Sequence, residues 1–259
     1  MTIHPSAAIG FASAADVYER ARPSYSQEAI DWVVAQTGLG PGRTVVDLGA
    51  GTGKLTRLLL RTGARVVAVE PIAEMRAHID GAEVLDGTAE AIPLPDASAD
   101  VVTVAQALHW FDQERALPEI HRVLREDGSL VLVWNMRDLG DPVQRGVEEL
   151  LGPMRKDVPG QIQGAWREPL ARSELFGPAN VGEFKIEQRF TTDDLCDRVS
   201  STSFVAALPP VDREELLVRV RALTHGIAEP FAFPYKTEVY VIPRSSDRDE
   251  SERGTSIKG

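Results

Sequence analysis

Cysteine is almost absent: Cys196 stands alone in 259 residues. A lone thiol excludes an internal disulfide framework and a cysteine-rich zinc site, and it suits a reducing compartment, so the cytoplasm is the expected location. Cys196 itself reads as a small buried hydrophobe. Long apolar runs are missing too. Nothing approaches the ~20 uninterrupted apolar residues of a membrane-crossing helix, and no basic start leads into an apolar core, so neither a membrane span nor a secretory leader is expected. Positive charge is scarce: 28 Lys and Arg face 39 Asp and Glu, a formal net charge of −11. Such a field repels phosphate backbones and argues against nucleic acid as a partner, although a local basic patch would override it. The five histidines, His4, His78, His109, His121 and His225, are scattered without paired spacing among carboxylates, so no metal site is expected. No internal repeat is visible, and nothing in the pattern speaks to oligomeric state. What is present, 43% hydrophobic and 26% charged residues, fits a globular chain with a sizeable core.

The richest stretch is Val45-Val-Asp47-Leu-Gly49-Ala50-Gly51-Thr-Gly53, where an apolar strand runs into three alternating glycines. The glycines let the backbone turn tightly beside a ligand, and Lys54 to Leu60 reads as the helix that follows. A second apolar run from Arg65 ends in Glu70, a carboxylate suited to two ribose hydroxyls at the end of a parallel strand. Pro71 then redirects the chain. The glycine spacing is G-x-G-x-G rather than the G-x-G-x-x-G of dinucleotide turns, so a nucleotide-dependent oxidoreductase is a poor fit.

Strands are expected near 44–48, 65–70, 83–86, 100–105 and 129–135, alternating with helices, which predicts parallel pairing through right-handed crossovers. A helix from Gln27 to Gln36 comes first, ended by Gly38 and Gly40. Gly182 to Thr192 and Tyr235 to Pro243 are strand-like, with helical patterns over Thr191 to Ala207 and Val211 to His225 between them. Residues 137–180 read as an insertion interrupted by Pro and Gly, with a short helical pattern over Val143 to Leu151. Residues 1–244 therefore form one domain, and 245–259, rich in Ser, Asp, Glu, Arg and Gly, read as a flexible tail.

Asp47 to Gly53, Val66 to Pro71, Gly87 to Pro95 and Asp100 to Phe111 resemble the class I S-adenosylmethionine-dependent methyltransferases. Within them they look like the small-molecule branch, methyltransferase type 11, with the trans-aconitate and ubiquinone-pathway enzymes; the likeness covers residues 16–136 well. The resemblance implies an α/β, Rossmann-like, doubly wound seven-stranded sheet, mostly parallel with one antiparallel edge strand. It implies S-adenosylmethionine as donor, S-adenosylhomocysteine as product, and a small-molecule acceptor. A carboxylate or hydroxyl oxygen is favoured, with carbon allowed. The other reading is a non-catalytic or repurposed donor-binding protein.

The resemblance also assigns residues. Backbone N–H groups around Gly49, Ala50, Gly51 and Gly53 would meet the donor's amino-acid part, with Asp47 offsetting its ammonium, unless Asp47 only caps the turn. Glu70 would bind the ribose and Met75 would lie against adenine, unless Met75 is core packing. In Gly87 to Pro95 either the Ala89 backbone or the Glu90 side chain would read the exocyclic amine. Tyr18 and Arg22, in a stretch resembling the family's opening, would fold over the donor, Arg22 binding its carboxylate or an acidic substrate, unless it is a surface turn. Gln106 to Trp110 would face the sulfonium and the acceptor. There His109 is the candidate general base, if it is not simply packed beside Trp110. Arg137, Trp134 and Trp166 are further candidates on the substrate side, where the resemblance implies that residues 137–180 form an insertion or cap over the acceptor, unless the insertion is merely structural.

Overall fold

A computed structural model describes residues 19–154, 164 and 166–245. Tyr18, residues 155–163 of the insertion, and the tail beyond Ser245 lie outside the described residues.

The first helix, α1 (Gln27–Thr37), starts at Ser26, whose hydroxyl accepts the Ala29 N–H, and stops at Gly38 in the left-handed conformation. It buries Ala29, Ile30 and Val33. Strand β1 (Thr44–Leu48) leads through the glycine turn to α2 (Lys54–Leu60), and β2 (Arg65–Val69) leads to the short α3 (Ala73–Arg76) and β3 (Glu83–Leu85). Then follow β4 (Ala99–Ala105), a 3-10 turn at Leu108–Trp110, α4 (Gln113–Val123) and β5 (Leu124–Arg137). Beyond β5 lie α5 (Pro142–Leu151), α6 (Arg167–Arg172), β6 (Asn180–Phe190), α7 (Thr192–Ser200), α8 (Ser203–Ala206), α9 (Pro210–Ala222) and β7 (Phe231–Pro243).

The strands form one seven-stranded sheet in the order β3-β2-β1-β4-β5-β7-β6. The five strands from β3 to β5 pair in parallel, while β7 runs antiparallel to both β5 and β6. This is the expected doubly wound, mostly parallel sheet, with its antiparallel strand in the edge pair: β7 is the reversed member and β6 the outermost. The order reverses between β1 and β4, so the carboxyl ends of these two strands part around a crevice.

Several elements run further than their apolar pattern. Strand β5 begins at Leu124 rather than 129, because Ala99 pairs with Leu124 across a register shift before regular pairing resumes. Strand β7 begins at Phe231 rather than Tyr235, since Phe190 to Ile186 of β6 pair with Phe231 to Tyr235 despite Pro234. The helical stretch expected over 191–207 is two helices, α7 with a Thr191–Asp194 capping box and then α8.

Alternation sorts side chains onto two faces of the sheet. Val46, Leu48, Val102, Val104, Leu132 and Trp134 pack under α4 on one face, and Val45, Val66, Val101, Val131, Val133 and Val239 pack against α1 and α2 on the other. A third cluster joins α5, α7 and α9 to Phe231, Phe233 and Tyr235, and takes in Cys196, which is buried as expected. This helical layer covers the amino-terminal start of β7, beside which β5 ends.

Candidate active site

The glycine turn closes a cleft at the switch between β1 and β4. Gly49, Gly51 and Gly53 have φ of 67°, 58° and 79°, values that L side chains adopt at a cost. A Cβ on Gly49 would stand 3.0 Å from that of Ala107, whereas one on Gly51 would meet nothing within 4 Å. Gly51 therefore presents bare backbone to open space. The cleft, about 560 Å³ with its open mouth, is bounded by this turn, by Gln106 and Asn135 at the ends of β4 and β5, and by Arg22, Arg198 and Tyr235.

The N–H groups of the glycines are already used within the protein. Those of Gly49 and Ala50 donate to the Val69 carbonyl at 2.8 and 3.2 Å, and that of Gly53 to the Ala50 carbonyl at 3.0 Å. The Gly51 N–H donates to Glu70 Oε2 at 2.9 Å, and the Ile72 N–H just past Pro71 donates to Glu70 Oε1 at 2.9 Å. In this conformation the turn shapes the wall, and the three glycine N–H groups are not free donors. Thr52, which has no place in the sequence-derived set, lines the cleft, and its Oγ1 is buried without a partner among the described residues. Glu70 is 5% exposed. Burial raises its pKa, opposed by the Ile72 and Gly51 N–H groups. A carboxylate offers about four acceptor sites, so two remain for a diol.

Asp47 is buried beneath the turn, its oxygens held by the hydroxyls of Thr56 at 2.6 Å and Thr103 at 3.0 Å. Burial pushes its pKa up to about 6 against those two hydrogen bonds and one from the Thr56 backbone. It is thus held by α2 and β4.

Two further candidates flank the Glu70 side. Met75 is 3% exposed on α3. In the Gly87 to Pro95 loop Ala89 is buried, while the Glu90 carboxylate accepts the Asp112 N–H at 3.0 Å. The loop is fixed from behind: Arg122 donates to the carbonyls of Ile92 and Leu94, and Glu119 accepts the Ile92 N–H at 2.9 Å.

The N-terminal segment is tied across the cleft. Arg22 donates to Ser201 Oγ at 3.2 Å and to the Ser201 carbonyl at 3.0 Å, beyond α7, and Asn135 donates from Nδ2 to the Ser24 carbonyl at 2.9 Å. Lys54, which also lines the cleft, donates to the Glu19 carbonyl.

Gln106 ends β4 in the left-handed region, φ 57°, a conformation that costs a non-glycine residue of order 1–3 kcal/mol. Its side chain reaches the Asn135 carbonyl at 3.3 Å. From there the chain turns His109 into an aromatic row: its ring centroid lies 4.9 Å from Trp110 and 5.5 Å from Trp134, and Trp134 lies 5.2 Å from Trp166. Burial, with the charge of Arg22, lowers the His109 pKa to about 4, so the ring is neutral at pH 7, and its buried Nδ1 has no partner among the described residues.

The expected substrate-side set divides here. Trp134 and Trp166 belong to the α4 face of the sheet, 0% and 2% exposed, in line with His109. Arg137 is three residues on from Trp134 and faces the other way, opposite Tyr235 in the β5–β7 pair, and bonds Glu148 of α5 at 3.3 Å. Tyr235 in turn accepts the Arg198 Nε–H at 3.0 Å. Trp166 and Arg137 therefore do not share a wall. Neither Arg198 nor Tyr235 was singled out by spacing.

Residues 46–132 match the family model described as a methyltransferase domain. An uncharacterized methyltransferase of Mycobacterium tuberculosis is 42% identical over 240 residues, 88% of this chain and 93% of the relative. The chain belongs to the class I S-adenosylmethionine-dependent methyltransferases. An uncharacterized methyltransferase-like protein of Schizosaccharomyces pombe is 36% identical over 204 residues, 77% of this chain and 79% of its own. Among solved structures, a type II methyltransferase from Anaeromyxobacter dehalogenans superposes with a TM-score of 0.65 at 24% identity, covering 85% of this enzyme and 97% of that chain, which supports the fold. Among the described residues of the methyltransferase, no three His, Cys, Asp or Glu side chains converge as metal ligands, and no helix is long and apolar enough to cross a membrane.

Proposed function

We propose that the enzyme transfers the donor's methyl group to an oxygen, carboxylate or hydroxyl, of a small-molecule acceptor, in the cytoplasm and without a metal ion. The observation that carries the donor half of this reading is the Glu70–Gly51 hydrogen bond of 2.9 Å. It holds a ribose-binding carboxylate at fixed spacing from the bare wall at Gly51, which a Cβ at that position would begin to fill.

The residues present fit the donor. Glu70 takes the two ribose hydroxyls, and Met75 with the Ala89–Glu90 loop takes the adenine. Either the Ala89 backbone or the Glu90 carboxylate, which keeps acceptor sites beyond the one taken by the Asp112 N–H, reads the exocyclic amine. Asp47, through the charge under the turn, favours the donor's ammonium, and Thr52, Tyr18 and Arg22 complete the amino-acid end. Bound there, the donor supplies a methyl carbon attached to a positive sulfur.

Gln106, which lines the cleft, then orients the acceptor, with the aromatic row packed behind it. Its oxygen lone pair would form the new O–C bond as the C–S bond breaks and that electron pair returns to sulfur. An ionised carboxylate would lose no proton in this step, and a hydroxyl would release its proton to solvent at the open mouth of the cleft. His109, with a conjugate acid near 4, is a weak proton sink, so its best role is to pack beside the path and accept a hydrogen bond. Alignment in a closed cleft supplies much of the acceleration, at best on the order of 7–11 kcal/mol.

Calorimetric titration with S-adenosylhomocysteine and single-turnover transfer of labelled methyl to a metabolite extract test the reading. Donor binding with a labelled small molecule supports it. Donor binding without any labelled product marks a binding module instead, and no donor binding removes the assignment.

A further inference from the structure

On the acceptor side of the cleft the charge balance departs from that of the whole chain. Arg198 is 7% exposed on α7, and Tyr235, against which it lies, is 2% exposed. The guanidinium has five N–H donors. One, at Nε, is given to Tyr235 Oη at 3.0 Å, while Nη1 is buried without a partner among the described residues, and the residue lines the cleft. A buried cation with an unanswered donor is costly unless an anion meets it. A neighbour adds to the demand: Arg137 is close enough to feel its charge, and burial together with Arg198 lowers the Arg137 pKa to about 10 even with Glu148 beside it.

The position points away from the donor. Glu70 and the glycine turn belong to β2 and β1, on one side of the switch point. Arg137, Tyr235 and Arg198 belong to β5, β7 and α7, on the other. A ligand laid along β1 and β2 leaves this end of the cleft for the second reactant.

We propose that Arg198, supported by Tyr235 and Arg137, forms an oxyanion subsite that anchors a carboxylate or phosphate group of the methyl acceptor. This inference rests on the methyltransferase reading of the cleft. Guanidinium presents paired donors that match two oxygens of such a group, so the subsite orients the acceptor as well as attracting it. It also gives an acidic enzyme a local means of capturing an acidic metabolite.

The test uses protein saturated with S-adenosylhomocysteine, titrated with straight-chain alkyl carboxylates, the matching alkyl phosphates, and the matching amides. At least one oxyanion series should bind more tightly than its amides by about tenfold, the worth of one charge-assisted hydrogen bond, and the better series names the group. Arg198→Met should erase that preference while leaving S-adenosylhomocysteine affinity within about twofold. Tyr235→Phe, which keeps the ring and removes only the hydroxyl that accepts Arg198, should weaken the preference and covers the case in which Arg198→Met does not fold. Equal binding of oxyanions and amides to the wild type overturns the proposal. So does a preference that survives in Arg198→Met, or in Tyr235→Phe where Arg198→Met does not fold. Loss of S-adenosylhomocysteine affinity in Arg198→Met overturns it too, because the guanidinium would then serve the donor. Failure of the wild type to bind S-adenosylhomocysteine would instead strike the methyltransferase reading itself.

Discussion

Glu70 and Gly51 are joined by a 2.9 Å hydrogen bond from the glycine N–H to Oε2, a link between the ends of two neighbouring parallel strands. Glu70→Ala removes this acceptor, the one for the Ile72 N–H, and the proposed ribose contacts together. Affinity for S-adenosylhomocysteine should fall by roughly 1.5–3 kcal/mol, as for charged hydrogen bonds. Glu70→Gln, which keeps one acceptor oxygen, should lose less. Calorimetry measures both, with melting curves to confirm folding; wild-type affinity in Glu70→Ala would take the residue out of the site.

For His109 the decisive quantity is the pH profile. With a pKa of about 4, the ring does not change charge between about pH 6 and 8. The ratio of single-turnover rates, wild type over His109→Phe, should therefore be constant across that interval. A ratio that rises with a midpoint near neutrality would show that the imidazole takes the proton after all.

Asp47 should leave a signature in stability. Its folded pKa of about 6 lies above the ordinary 3.8, so the folded state holds the proton more tightly. The resulting stabilisation is fully present below the unfolded value and is lost as pH rises through about 6, a change of about 3 kcal/mol at about 1.4 per unit. Measured against Asp47→Asn by denaturant unfolding, the wild type should lose ground between about pH 4 and 7. A parallel pair of curves would show that Asp47 ionises normally beneath the turn.

Legibility in the sequence followed local chemistry. The helix expected at Lys54 to Leu60 has those bounds, because Gly53 supplies the left-handed residue that starts it and Leu55, Leu58 and Leu59 form its buried side. Strand β5 was read short because Arg125, Glu126, Asp127 and Gly128 look like a turn, and only pairing with β4 makes a strand begin at Leu124. The start of β7 was hidden by Pro234, which is tolerated because β5 ends opposite Tyr235, so Pro234 and the residues before it pair with β6 alone. At the site, the glycine turn and Glu70 stand out because backbone conformation and strand ends are written in short windows. Arg198 does not: in Thr-Asp-Asp-Leu-Cys-Asp-Arg it reads as a solvated helical charge, and it is buried only because α7 packs over Tyr235, 37 residues later. The unpartnered Nη1 follows from that long-range packing, which no local pattern encodes.

The last prediction concerns the anchor at the opposite end of β4. Asp100 accepts the Thr44 N–H at 2.7 Å, Arg125 through both oxygens at 2.8 Å, and Arg43 at 3.1 Å, joining the starts of β1, β4 and β5. Burial works against its ionisation, but the Thr44 N–H and the two guanidiniums outweigh it, so its pKa lies below the ordinary value. The sign is therefore opposite to that of Asp47. Asp100 contributes stability above its unfolded pKa of 3.8, and that contribution is lost as pH falls through the lower folded value. Arg125 and Arg43 keep 43% and 37% of their side-chain surface, so after Asp100→Ala both rehydrate, and the main loss is the Thr44 N–H and the charged bonds. The expected cost is about 2–3 kcal/mol at neutral pH. Because the anchor stands at the end of the sheet away from the cleft, affinity for S-adenosylhomocysteine in the folded variant should not change. Chemical unfolding read beside calorimetry separates the two effects, and a loss of affinity equal to the loss of stability would show that the glycine turn depends on this anchor for its shape.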